Sequence, residues 1–165
     1  MKKYHWLFLF MLIISGASRG EDVRMRDVFR QMPDSLLPTL SANNRLDMID
    51  FLDSNMKAEV TNLLGGKSEM TALTDDSLSL RMSDVQTVNM MLLKTEEMVD
   101  SCQQIICVMR IYGTDSLDLD TKVTTYSMAW RRVENPPLSE EVNKRMNAAF
   151  KKTIVKRIGK ILKKD

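Results

Sequence analysis

Ser54 and Lys57 stand at the ends of Ser-Asn-Met-Lys, the Ser-x-x-Lys spacing in which a lysine amine can take the proton of a serine nucleophile. That is the acyl-transfer chemistry of penicillin-interacting enzymes, but no Ser-x-Asn or Lys-Thr-Gly segment follows it in this chain. Asp115, Asp118 and Asp120 cluster where a hairpin turn is expected, and three carboxylates so placed could gather calcium. The glycine and closing glutamate of an EF-hand loop are missing, and turn chemistry accounts for the acids. Gly66-Lys67-Ser68 resembles the tail of a phosphate-binding loop, yet position 61 is Thr where that loop needs glycine. No cofactor motif is present.

Histidine is the more telling absence. His5 is the single histidine of the chain, and it falls in a segment expected to be removed. Lys2 and Lys3 form a basic start, Trp6 to Ile14 an apolar run, and Ser15-Gly16-Ala17 a small-residue cut, which together read as a secretory signal peptide over residues 1–20. The apolar run falls short of the roughly 20 residues that span a bilayer core. The expected mature chain, 21–165, then has no Ser-His-Asp or Cys-His set and no histidine for zinc. It also loses Lys2, Lys3 and Arg19, leaving 21 basic against 22 acidic side chains, a net charge of −1. That balance argues against a nucleic-acid partner. The expected location is periplasmic or secreted, with no transmembrane segment after cleavage.

In that setting disulfides are permitted. Cys102 and Cys107 on one strand would be about 16 Å apart at roughly 3.3 Å per residue, beyond the roughly 7 Å reach of a disulfide. Two free thiols are therefore expected, with Cys107 in the core. The 12 methionines left after Met1 and Met11 are dispersed and read as core filling rather than a copper site.

These residues need elements to position them. Val23 to Gln31 is a short helix stopped by Pro33. Asp34 and Ser35 cap a turn closed by Pro38. Ser41 begins the best helix, whose face Leu46, Met48, Ile49, Phe51 and Leu52 is expected on a sheet. Asp47, Asp50 and Asp53 are expected in water. Met56 to Leu64 is read as continuing helically to Gly65-Gly66. Period-two alternation then gives strands around Met70, over Leu78 to Met82, over Thr87 to Leu93, over Gln103 to Tyr112 and over Lys122 to Arg132, with Thr95 to Ser101 a polar link. Short connections imply an antiparallel meander of about five strands. Ser139 caps a final amphipathic helix carrying Val142, Met146, Phe150 and Ile154. The class is α+β in a single domain, 21–165: N-terminal helices on the meander, then the C-terminal helix. Tyr112, Tyr126 and Trp130 could line a groove on the sheet or pack as cross-strand pairs. Lys151, Lys152 and Lys156 belong to a tail that carries nine basic residues from Lys144 onward, either in water or touching an acidic partner or membrane surface.

Met25-Arg-Asp-Val-Phe-Arg-Gln-Met-Pro-Asp-Ser-Leu-Leu-Pro, Asn44-Arg-Leu-Asp-Met-Ile-Asp-Phe and Gly65-Gly-Lys-Ser-Glu-Met-Thr resemble the domain-of-unknown-function 3256 family, small exported proteins of gut Bacteroidales. The resemblance runs from about Met25 to Trp130. It implies an exported setting and carries over no catalytic or binding residue. The expectation is a non-enzymatic module binding an envelope protein or small ligand. The alternative is a small extracytoplasmic hydrolase using Ser-Lys or carboxylate chemistry.

Overall fold

Pro33 and Pro38 divide the N-terminal segment, because neither can donate a helical hydrogen bond. Helix α1 (Met25–Arg30) ends before Pro33, a 3-10 turn follows (Asp34–Leu36), and α2 (Ala42–Asp53) begins past Pro38. The computed structural model of the chain describes residues 23–113 and 119–161. Ser41 starts α2 through a capping box: its Oγ accepts from the Asn44 N–H at 3.1 Å, and Asn44 Oδ1 accepts from the Ser41 N–H at 3.3 Å. Asn55 at φ 55° ends the helix in a left-handed conformation that asparagine tolerates.

Seven antiparallel strands follow, each beside its neighbour in sequence: β1 (Glu59–Thr61), β2 (Lys67–Leu73), β3 (Ser77–Arg81), β4 (Gln86–Val99), β5 (Cys102–Tyr112), β6 (Asp120–Ser127) and β7 (Arg132–Val133). Helix α3 (Glu140–Ile161) follows the sheet, and the Val142 N–H donates to Ser139 Oγ at its start. The meander is as expected, but it has seven strands rather than about five. Of three differences from the expected layout, two add the strands β1 and β7 and one lengthens β4.

The expected helix over Met56–Leu64 is instead β1 and a turn. With α2 already closed at Asn55, the buried positions Ala58 and Val60 alternate as in a strand. Gly65, at φ 79°, serves the β1–β2 hairpin rather than a helix end. The Thr95–Ser101 link is largely strand, because β4 runs on to Val99. Asp100 and Ser101, at φ 50° and 67°, form a two-residue hairpin turn of the kind that needs two left-handed residues. The strand expected over Lys122–Arg132 breaks at Ser127 into a turn holding Trp130 at φ 60°, after which β7 pairs back.

Alternation along β4 and β5 divides the core between the two faces of the sheet. Val88, Met90, Leu92, Ile106 and Val108 point to the side covered by α1 and α2. Leu93, Ile105, Cys107, Met109 and Ile111 point to the other side, where α3 lays Val142, Met146, Phe150 and Ile154 on them. On α2, Met48 and Ile49 are fully buried and Phe51 and Leu52 partly so, but Leu46 is 42% exposed. Arg45 is buried in its stead. Its guanidinium donates to the Met32 and Leu40 carbonyls at 2.7 and 3.1 Å and to Asp34 Oδ1 at 2.7 Å. The proline-broken segment leaves these carbonyls without helical partners, and a buried acceptor must be satisfied. Asp53, one of the three acids expected in water, is joined to Arg26 of α1 by two hydrogen bonds of 2.5 and 2.7 Å.

Candidate functional site

The Ser-x-x-Lys pair lies at an exposed helix end. Ser54 is the C-terminal cap of α2, and the Lys57 ammonium sits 2.5 Å from Glu59 Oε2. That hydrogen bond raises the Lys57 pKa, whereas a lysine acting as base needs it lowered. Asp120 is an exposed residue at the start of β6, and Asp115 and Asp118 lie outside the described residues. Among the described residues, no three His, Cys, Asp or Glu side chains gather as a metal-binding set.

Tyr126 is buried in the core beneath α1 and α2, not on an open face, with the Trp130 ring 5.8 Å away and tilted by 55°. These two rings form a packing pair, and Tyr112 is exposed at the end of β5. Both cysteines are free thiols. Burial pushes the Cys107 thiol up to about 12, and its Sγ meets Met146 Sδ of α3 at 3.7 Å.

Two of the clefts among the described residues border α3. The larger, about 480 Å³, lies by the β2–β3 turn and the start of the helix. It contains the Arg145–Asp76 ion pair at 2.6 Å beside Leu92, Leu93 and Val142. Asp76 is held below the usual carboxylate range, first by the Thr74 hydroxyl and then by Arg145.

The smaller cleft, about 180 Å³, is differently made. On the α3 face, β2, β3 and β4 carry Thr71, Ser79, Arg81, Thr87 and Asn89, where β5 carries Cys107, Met109 and Ile111. The later turns of α3 cross this polar half of the sheet and bring Lys152, Thr153, Lys156 and Arg157 against it. Arg157 fixes the helix there: its Nη2 donates to the Asp84 carbonyl and, at 2.9 Å, to the Gly113 carbonyl. Arg81 is matched by Glu69 at 2.5 Å, and that hydrogen bond raises its pKa. Ser79 Oγ donates to Asn89 Oδ1 at 2.7 Å. Asn89 Nδ2 and Arg157 Nε have no hydrogen-bond partner among the described residues. Of the three tail lysines singled out in the sequence, Lys152 and Lys156 line this cleft and Lys151 does not.

The sequence pattern that defines the proteins of unknown function DUF3256 matches residues 21–157. The chain belongs to the DUF3256 family. No curated protein matches it in sequence. Among solved structures, this DUF3256 chain is similar to a domain of an uncharacterized protein from Porphyromonas gingivalis W83, at 21% identity and a TM-score of 0.53. The likeness covers 67% of this chain and 53% of that one, so the match spans about half of the solved chain. At that identity it bears on the fold. Among the described residues no helix is long and apolar enough to cross a membrane.

Proposed function

We propose that the protein is an exported binding module of the cell envelope and that its ligand-facing surface is the groove between α3 and the polar half of the sheet. One observation carries this reading. The smaller cleft beside α3 is lined by basic, hydroxyl and amide side chains, and two buried nitrogens of its lining residues, Asn89 Nδ2 and Arg157 Nε, are unpartnered among the described residues. Buried polar groups in native proteins are satisfied as a rule; Arg45 Nε is also unpartnered among the described residues, but Asn89 and Arg157 share one cleft, and that pairing supports a place for a ligand. Export rests on the signal-like residues 1–20 and on the family resemblance. The hydrolase alternative draws no support from Lys57, whose proton Glu59 holds.

Two measurements test the reading. The intact mass of the protein from the envelope fraction is expected to begin beyond Ala17; a cytosolic protein retaining Met1 would overturn the export claim. A photoreactive residue at position 156 is expected to crosslink in cells, while one at Asp47 on α2 is not. Equal capture from both positions, or none from 156, would remove the groove as the binding surface.

A further inference from the structure

We infer that the cleft beneath the last turns of α3 is a receptor for a tetrahedral oxyanion, a phosphate or sulfate group, free or at the end of a larger molecule. The inference rests on the binding-module reading above and specifies its ligand.

Three independent features converge on this chemistry. The first is charge. Lys152 and Lys156 are four residues apart on one face of α3, where like charges repel. Among the described residues neither has an ion-pair partner. Arg157 joins them and spends its Nη2 on two neutral carbonyls, so its charge is not cancelled there. Arg81 is matched by Glu69 at 2.5 Å, with Asp84 and Glu59 farther out at 3.9 and 4.0 Å. Lys152, Lys156 and Arg157 therefore leave the cleft cationic.

The second feature is the type of polar atom on offer. Asn89 is only 6% exposed and Arg157 only 9%. Asn89 Oδ1 is occupied by the Ser79 hydroxyl, which leaves Nδ2, and both Nδ2 and Arg157 Nε are donors. The lysine ammonium groups are donors as well. Nδ2 and Nε are enclosed, so a ligand meets them as the Asn89 and Arg157 side chains turn toward it, and to meet all these donors it must bring several acceptor oxygens and negative charge, as a phosphate or sulfate does.

The third is size. The cleft, about 180 Å³, falls below the roughly 300 Å³ at which pockets for drug-sized ligands begin. It suits one small group. Lys152 and Lys156 are exposed, so a larger molecule could carry that group in from solvent.

The test is an NMR titration of the exported protein followed at the Asn89 side-chain amide and the Thr87 and Thr153 backbone amides. One arm adds inorganic phosphate at ionic strength held constant with chloride. The other adds phosphatidylcholine vesicles with and without phosphatidic acid. The expected result is saturable movement of these signals in at least one arm, and the arm that responds names the source. In Lys152→Gln/Lys156→Gln, which alters exposed side chains, the association constant should fall about tenfold or more, as loss of charge-assisted hydrogen bonds implies. Silence in both arms, the same movement with chloride alone, or undiminished affinity in the double variant overturns the assignment. Should the titration be silent while the crosslink from position 156 persists, the oxyanion falls and the binding surface stands.

Discussion

The two faces of the sheet are closed by different means. Under α1 and α2 the closure is apolar and continuous: Phe29, Met25, Met48 and Ile49 are at or near zero exposure against Leu80, Met90 and Ile106. The buried cation there, Arg45, is used on local carbonyls and Asp34. Under α3 the closure changes along the helix. Its first half buries Met146 and Phe150 on β4 and β5, while its second half crosses hydroxyl, amide and guanidinium groups. One face is thus built for stability, and the other trades part of its apolar contact for polar groups. That division predicts that stability and binding separate by face.

The largest effect is expected from Phe29→Ala. Emptying a fully buried aromatic site costs about 3–5 kcal/mol through lost transfer energy and a residual cavity. Chemical denaturation should show this loss for the whole fold, and a loss under about 1 kcal/mol would break the contrast. Arg157→Met is expected to cost less, about 1–3 kcal/mol, because it leaves the Asp84 and Gly113 carbonyls without their donor. Hydrogen exchange should rise in the last turns of α3 and stay unchanged in α2. A uniform rise would mean that the two faces unfold as one unit.

Smaller still is the expected effect of Ser79→Ala/Asn89→Leu. Replacing both members of a buried hydrogen-bonded pair with apolar groups is nearly neutral, and here it also removes an unpartnered donor. Stability should stay within about 1 kcal/mol of the parent while the phosphate response disappears. A large destabilisation would show that the pair serves packing instead.

How much of this can be read from residues alone differs by face in the same way. In the middle of β4 and β5, over Met90 to Leu93 and Ile105 to Met109, both faces are packed and the odd and even sets are each apolar. The division of Val88, Met90 and Leu92 from Met91 and Leu93 is therefore plain in the alternation itself. Ser41 as the start of α2 is equally plain, because its capping chemistry is local. A three-residue strand such as β1 offers too few positions for a period to emerge. The last part of β4 carries Lys94, Glu96 and Glu97 because it projects as an exposed hairpin, and a polar strand resembles a linker. The exchange of Arg45 for Leu46 depends on carbonyls contributed by a different segment. The smaller cleft is the least legible. Its residues run from Thr71 to Arg157 and meet only through strand register and the placement of α3. Two signals point toward it: polar Ser79, Thr87 and Asn89 on the strand face where β5 carries apolar Cys107, Met109 and Ile111, and the i, i+4 pair Lys152 and Lys156 on α3.

The smallest expected effects concern how firmly α3 is held. Cys107 sits beneath the apolar half of the helix with its thiol pushed up to about 12, so it should resist alkylation at neutral pH while half-buried Cys102 reacts. Rapid labelling of Cys107 in the folded protein would show that α3 lifts readily. The Arg145–Asp76 pair gives a pH-dependent version of the same question. Thr74 and Arg145 depress the Asp76 pKa in the folded state. Its contribution is therefore present above the unfolded value, about 3.9, and is lost as pH falls through the lower folded value. The pair is exposed, so the effect is a few tenths of a kcal/mol. Hydrogen exchange in the first turns of α3 should separate the parent from Asp76→Asn at neutral pH, and the two should converge once the pH falls below the depressed folded value of Asp76. A difference that persists under acid would place the anchor elsewhere, on the Met146 and Phe150 contacts alone.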